Sequence, residues 1–263
     1  MIFFFIHRFN DIDHLTPIIY RLAKDGNYNI MVLSLNPYYD ILNDFRLNYL
    51  KDNLNVKVKY IYKAFYPSIF HRLFSYYFCT DTSKYGYYLL LLLTRKSKGF
   101  KRLIFNTIYG RKWCKSLFDE YKPHVLVFDN SAAVSKYYNI PAIESVSNER
   151  SIPRISLPHG VPLFTNHPKS YDKAKRDLAK NDSNLIVLAS KRWMNECLDF
   201  SASPEKLKVV GVARHCKEWE DVLKEIIPWD ESLNNTGKDK LKVVYMDMGP
   251  DRYDELKPIA EET

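Results

Sequence analysis

The chain has 263 residues, 46% of them hydrophobic and 27% charged, which excludes a disordered, collagen-like or low-complexity protein. Lys plus Arg is 39 and Asp plus Glu is 31, a formal charge of +8 that favours an anionic partner without choosing among phosphate, nucleic acid and acidic membrane. Cys79, Cys114, Cys197 and Cys216 form no CxxC pair, which excludes a zinc ribbon and a thioredoxin-like motif and leaves reduced, mostly buried thiols of a cytosolic protein as the expectation.

The opening run Ile2-Phe-Phe-Phe-Ile6 is continuously apolar, as for a strand buried on both faces of a parallel sheet. No basic region precedes it and no small-residue cleavage site follows it, so it does not read as a signal peptide. A polar loop is expected over 7–14. Leu15, Ile18, Ile19 and Leu22 then fall on one face of a helix, with Asp13 as its N-cap and Gly26 at its C-terminus. Residues 28–35 read as a second strand, closing a right-handed βαβ unit.

Residues 42–50 predict a short helix and 56–62 a third strand. Residues 64–122 read mostly as helix, basic and aromatic, broken by Pro123. Within them the apolar run 85–93 is about half the ~20 residues that span a bilayer, so no transmembrane helix is expected. His124-Val-Leu-Val-Phe128 is a buried strand ending at Asp129-Asn130-Ser131. A helix over 132–138 and a short strand reached through Asn139-Ile-Pro-Ala-Ile143 follow. Arg154-Ile-Ser-Leu-Pro158 predicts a strand running into His159-Gly160, and 172–180 a polar helix or loop. Residues 184–189 predict a strand, Ser190 caps a helix over 192–200, 208–212 form a short strand near Gly211, and 216–226 are helical. Residues 228–240 are polar and contain Asn234-Asn-Thr-Gly237, a linker signature. A further strand over 241–246 opens a second unit. The expected fold class is therefore α/β, a Rossmann-like parallel sheet flanked by helices over 1–227, a linker over 228–240, and over 241–263 only the start of a second Rossmann domain.

Four pieces in this order carry a resemblance. They are Ile2–Ile6 with its loop and helix; Pro123-His-Val-Leu-Val-Phe-Asp129, with His124 where an acid is usual; Ile155-Ser-Leu-Pro-His-Gly160; and Leu185-Ile-Val-Leu-Ala-Ser190 followed by Lys206-Leu-Lys-Val-Val-Gly211. Together they resemble the N-terminal half of the GT-B glycosyltransferase superfamily, and within it the CDP-glycerol glycerophosphotransferase and UDP-N-acetylglucosamine 2-epimerase branch. The resemblance implies an acceptor-side domain of surface-polysaccharide or cell-envelope synthesis. It implies a nucleotide-sugar or CDP-polyol donor, a glycan or lipid-linked acceptor, no cofactor and no metal. The start of a donor domain at 241–263 leaves open a non-catalytic acceptor-binding subunit completed by a partner chain. A sugar-nucleotide epimerase is the other alternative.

His159 at the end of a strand would be the base or acceptor contact, with Gly160 letting backbone approach a ligand; a strand-ending turn is the competing reading. Asn10, Asp11, Asp13 and His14 would orient an acceptor, with Asp13 or His14 as base, or would form a polar loop with Asp13 as a cap. Asp129 and Asn130, with Ser131, line the same cleft or cap a helix, and capping is favoured. Ser190 and Arg192 open a helix whose amides suit an anion, though simple capping is again favoured. Arg214 and His215 occupy a position where the family contacts ligand.

The basic stretch Arg95, Lys96, Lys98, Lys101, Arg102, Arg111, Lys112, Lys115 reads as a solvated helical face. Its alternatives are a helix on the anionic inner face of a membrane and a nucleic-acid surface, the latter without a supporting motif. No GxxxxGK[ST], GxSxG or HExxH motif occurs, which sets aside phosphate-loop NTPases, α/β-hydrolases and zinc proteases. The location expected is the cytoplasm.

Overall fold

The structure is a computed structural model of the chain, and it describes residues 1–6, 9–35, 40–61, 110–129, 139–158 and 181–227. The chain divides into a compact unit, Met1–Ile227, and Pro228–Thr263. The latter lies wholly outside the described residues, and with it the expected linker and second-domain strand. Also outside are 64–109, the expected helix over 132–138, and the polar segment 172–180.

Among the described residues, seven parallel strands make one sheet: β1 (Ile2–Ile6), β2 (Ile30–Ser34), β3 (Lys57–Tyr60), β4 (Val125–Asp129), β5 (Arg154–Leu157), β6 (Leu185–Leu188) and β7 (Leu207–Val209), in the order β3-β2-β1-β4-β5-β6-β7. The Rossmann-like architecture expected from the sequence is present, with strand order reversing between β1 and β4. Register is set by burial on both faces. Phe4 pairs with Val32 and Val127, and Phe5 with Leu33 and Phe128. The rings of Phe5 and Phe128 stack at 4.6 Å across the β1/β4 seam.

Alternate side chains on these strands feed two cores. Phe4, Ile6, Val32, Val127, Leu157 and Val187 face α1 (Phe9–Lys24), α2 (Phe45–Leu54) and α6 (Lys217–Ile226), through Ile12, Leu15, Ile19, Leu47, Leu50, Trp219 and Val222. Phe3, Phe5, Met31, Leu33, Leu126 and Phe128 face α3 (Gly110–Tyr121) and α4 (Asn139–Glu149), through Trp113, Leu117, Phe118, Ile140, Ile143 and Val146. A smaller cluster joins β6 and β7 to α5 (Lys191–Asp199) through Cys197. Trp219 is buried and packs on Tyr20 at 5.5 Å between ring centres, and Glu218 receives Arg21 at 3.2 Å and Lys24 at 2.9 Å. These contacts bring the last helix of the unit back onto the first.

Three expectations are corrected. Helix α1 begins at Phe9, so Asn10, Asp11, Asp13 and His14 are helical and not a loop, and Asp13 is not the N-cap. Pro17 inside this helix lacks the N–H that would reach the Asp13 carbonyl, while the Thr16 hydroxyl donates to the Ile12 carbonyl at 2.7 Å. The apolar stripe outweighs the proline because the helix buries Ile12, Leu15 and Ile19 completely. Second, residues 139–143 are the first turn of α4 and not an approach to a strand. Pro141 is tolerated there because first-turn N–H groups have no intrahelical acceptor. Third, the short helix expected over 42–50 runs Phe45–Leu54, because Asp44 caps it: its carboxylate accepts from the N–H groups of Arg46 and Leu47. The αL residue Asn55, φ 54°, ends it.

Of the basic stretch, Arg111, Lys112 and Lys115 are described. Arg111 and Lys115 both pair with Glu149 of α4, Lys115 at 2.9 Å, and Arg150 reaches back to Asp119 at 2.8 Å. These charges fasten α3 to α4. Among the described residues no helix is long and apolar enough to cross a membrane.

Candidate functional site

In an open parallel sheet, ligands bind outside the C-terminal strand ends where strand order reverses, because helix N-termini and loops converge there. Here that point lies between the ends of β1 and β4, at Ile6 and Asp129. Helix α1 rises from the end of β1 with Asn10 and Asp11 in its first turn and Asp13 and His14 in its second. Asp11 and Asp129 are fully buried and His14 nearly so. Polar groups withdrawn this far from water are held in fixed orientation by their surroundings. Two further chain segments form ion pairs with α1.

The first is the start of α2. Arg46 is buried, and its guanidinium lies in a fork formed with the Asp44 carboxylate: Nε donates to Oδ1 at 3.1 Å and Nη2 to Oδ2 at 2.6 Å. Its remaining terminal nitrogen, Nη1, donates to Oδ1 of Asp13. The rings of Phe9 and Phe45 lie 4.9 Å and 5.2 Å from the guanidinium carbon. A guanidinium suits this place because its planar fork matches a carboxylate and its faces stack on aromatic rings.

The second is the segment after β7. The Val210 and Gly211 N–H groups both donate to the Leu188 carbonyl at the end of β6, and Gly211 takes φ 100°, a conformation open to glycine at little cost. From there the chain reaches the short 3₁₀ turn Ala213–His215, which packs on α1. Arg214 lies there with Nη2 3.8 Å from Oδ2 of Asp13, and its side chain is 48% exposed. One carboxylate thus faces two arginines of different character, Arg46 buried and Arg214 at the surface.

The structure therefore brings together Asp13 and Arg214 of the expected residues, on the side of the sheet that carries Asn10, Asp11, His14 and Asp129. Ser190 is a helix cap: it is extended at φ −154° and accepts from the Trp193 N–H at 3.4 Å. Arg192, on the exposed start of α5, pairs with Glu196 at 3.1 Å. His159, Gly160 and Asn130, with Ser131, lie outside the described residues. Sequence reasoning missed Arg46 and Asp44. The available signal was Asn43-Asp-Phe-Arg46, an acidic cap followed by an arginine in the first helical turn. No group of three or more His, Cys, Asp or Glu suited to a metal ion occurs among the described residues.

No family model and no curated protein matches the sequence. Among solved structures, the chain is similar to the S. aureus MnaA protein in complex with UDP, at 10% identity and a TM-score of 0.46, covering 90% of this chain and 48% of that one. It is similar also to the UDP-GlcNAc 2-epimerase of Neisseria meningitidis bound to UDP-GlcNAc, at 12% identity and a TM-score of 0.47, covering 85% of this chain and 50% of that one. The corresponding epimerase of Rickettsia bellii is a third, at 10% identity and a TM-score of 0.44, covering 85% of this chain and 46% of that one. The chain spans about half the length of these structures.

Proposed function

We propose that this chain is the acceptor-side half of a GT-B-type transferase of surface-polysaccharide or cell-envelope synthesis. It moves a sugar or a polyol phosphate from a nucleotide donor. The reading rests on one observation above all: acidic residues and two arginines gather at the C-terminal edge of a doubly wound sheet, beside its reversal point. The order of sequence motifs that resembles the superfamily supports it. In the reaction proposed, an acceptor hydroxyl gives its proton to His159 and its oxygen forms the new bond. With a nucleotide sugar the attack is on the anomeric carbon, the bond to the diphosphate breaks, and configuration inverts. With a CDP-polyol the attack is on phosphorus and CMP leaves. Neither route needs a covalent enzyme intermediate. Asn10, Asp11, Asp129, Asn130 and Gly160 shape the acceptor side.

Calorimetry with UDP-GlcNAc and CDP-glycerol on the purified chain tests this reading, followed by nucleotide release with and without acceptor. Micromolar binding of either ligand, with turnover abolished in His159→Ala, is the expected result. Epimerised sugar without transfer would assign the epimerase chemistry instead. Absence of all nucleotide binding would move the chain to an acceptor-binding role completed by a partner chain.

A further inference from the structure

We propose that Arg214 binds a phosphoryl group at the C-terminal edge of the sheet and that Asp13, fixed by Arg46, is the internal counter-ion that the phosphoryl group displaces. The inference rests on the nucleotide-ligand reading above and names the residues that take the ligand's anionic part.

The argument starts with the unequal grip of the two arginines on one carboxylate. Arg46 is buried, forked onto Asp44 and hydrogen-bonded to Oδ1 of Asp13. That bond holds the Asp13 carboxylate in one orientation, with Oδ2 turned to Arg214. Arg214 meets it at 3.8 Å, an ion pair too long for a hydrogen bond. Nearly half of the Arg214 side chain is open to water, and no other ion pair of it occurs among the described residues. The Nε/Nη2 and Nη1/Nη2 edges of its guanidinium each present two donors that phosphate oxygens fit, and both include Nη2, the nitrogen that faces Asp13.

Charge accounting supports the same assignment. Asp44 offsets Arg46 and Asp13 offsets Arg214, so the resting cluster is neutral and tolerates a half-exposed arginine beside a buried one. An arriving phosphoryl dianion offers Arg214 two oxygens at hydrogen-bond distance in place of one at 3.8 Å. The carboxylate stays where it is because Arg46 holds it. Asp13 accordingly weakens anion binding by like-charge repulsion while keeping Arg214 from turning to other partners.

The experiment is calorimetric titration of the full chain with inorganic pyrophosphate at low salt, alongside UDP-GlcNAc and CDP-glycerol. It uses the wild type, Arg214→Ala, Arg214→Lys, Asp13→Asn and the remote surface control Lys224→Ala. Losing a charge-assisted bidentate contact should weaken pyrophosphate binding about tenfold or more in Arg214→Ala, with a smaller loss in Arg214→Lys. Removing the competing carboxylate should tighten binding in Asp13→Asn by roughly three- to tenfold, as a partly screened charge at this distance allows. The opposite signs separate this role from a merely structural one, which would weaken binding in both. Pyrophosphate binding unchanged in Arg214→Ala, equally weakened in Lys224→Ala, or absent from the wild type overturns the inference. Because Arg214 is on the surface, its two variants decide the matter even where Asp13→Asn folds poorly. Nucleotide binding indifferent to Arg214 would sink this inference and leave the functional reading standing. Arg214-dependent pyrophosphate binding without nucleotide binding would do the reverse.

Discussion

Replacing Arg46 with Met removes the charge at the centre of the cluster and keeps most of the side-chain volume. Two carboxylates lose their partner. Asp44 is buried and gives up both bonds of the fork while the N–H groups of residues 46 and 47 still donate to it. Asp13 gives up the bond to Oδ1 and retains the long contact to Arg214. Breaking a buried pair by removing one partner costs about 3–5 kcal/mol, largely because the surviving charge is left in a poor medium. The lost stacking on Phe9 and Phe45 adds about 0.5–1 kcal/mol, the exposed-site range, since both rings are partly open to water. The expected loss of unfolding free energy is therefore about 3.5–6 kcal/mol, read from urea denaturation followed by far-UV circular dichroism. Asp44→Asn keeps an oxygen to accept the capping N–H groups and should cost less, about 1–3 kcal/mol. The double variant Arg46→Met/Asp44→Asn should be less destabilised than the sum of the two singles, because neither then leaves the other charged and buried. A loss under about 1 kcal/mol for Arg46→Met, or strict additivity, would refute the buried fork and with it the fixed orientation of Asp13.

Trp219→Ala should cost about 3–5 kcal/mol by emptying the contact between α6 and Tyr20; a thermal melt that barely moves would mean that α6 does not close the core. Ser190→Ala should cost about 0.5–1 kcal/mol, the low end for a cap whose hydrogen bond is 3.4 Å long, and should leave pyrophosphate affinity unaltered; a weakened titration would make Ser190 a ligand group. Burial holds the Glu144 carboxyl above its ordinary value, against the opposing pull of Arg154 at 3.4 Å and with Asp182 reinforcing the rise. A carboxyl raised in the folded state binds its proton more tightly there than in the unfolded chain. Its contribution therefore becomes more favourable as pH falls through the raised value towards the ordinary 4.5. The stability difference between wild type and Glu144→Gln should shift in favour of wild type over that interval, and denaturation at pH 7 and pH 5 showing the opposite slope would contradict the assignment. Burial also pushes the Cys197 thiol up to about 11 and the Cys114 thiol higher still, whereas Cys216 is exposed. Brief treatment of folded protein with N-ethylmaleimide at pH 7, read by peptide mass mapping, should label Cys216 and spare the other two.

Much of the described sheet is legible in the sequence. Runs such as Ile2–Ile6 and Leu185–Leu188 are apolar without alternation, and only a strand covered on both faces satisfies them. The Ser190 cap was equally plain, since a serine before a helical stripe answers a local need for an acceptor. Two helix starts are not legible in the sequence: Asp13 reads as a cap after a polar loop, and residues 139–143 read as the approach to a strand. Burial of Ile12 in the first case, and of Ile140 and Ile143 in the second, decides for helix.

The sequence by itself determined the α/β class, the buried strands and the candidacy of Asp13 and Arg214, because periodicity and residue type are local properties. It could not pair Asp13 with Arg214, some two hundred positions apart, or bring Arg46 between Asp44 and Asp13. Those contacts exist only once α1, α2 and the segment after β7 dock on one face of the sheet. Tertiary structure decided them, because an ion pair between distant residues depends on where packing leaves the two charges, and no spacing along the chain encodes that distance.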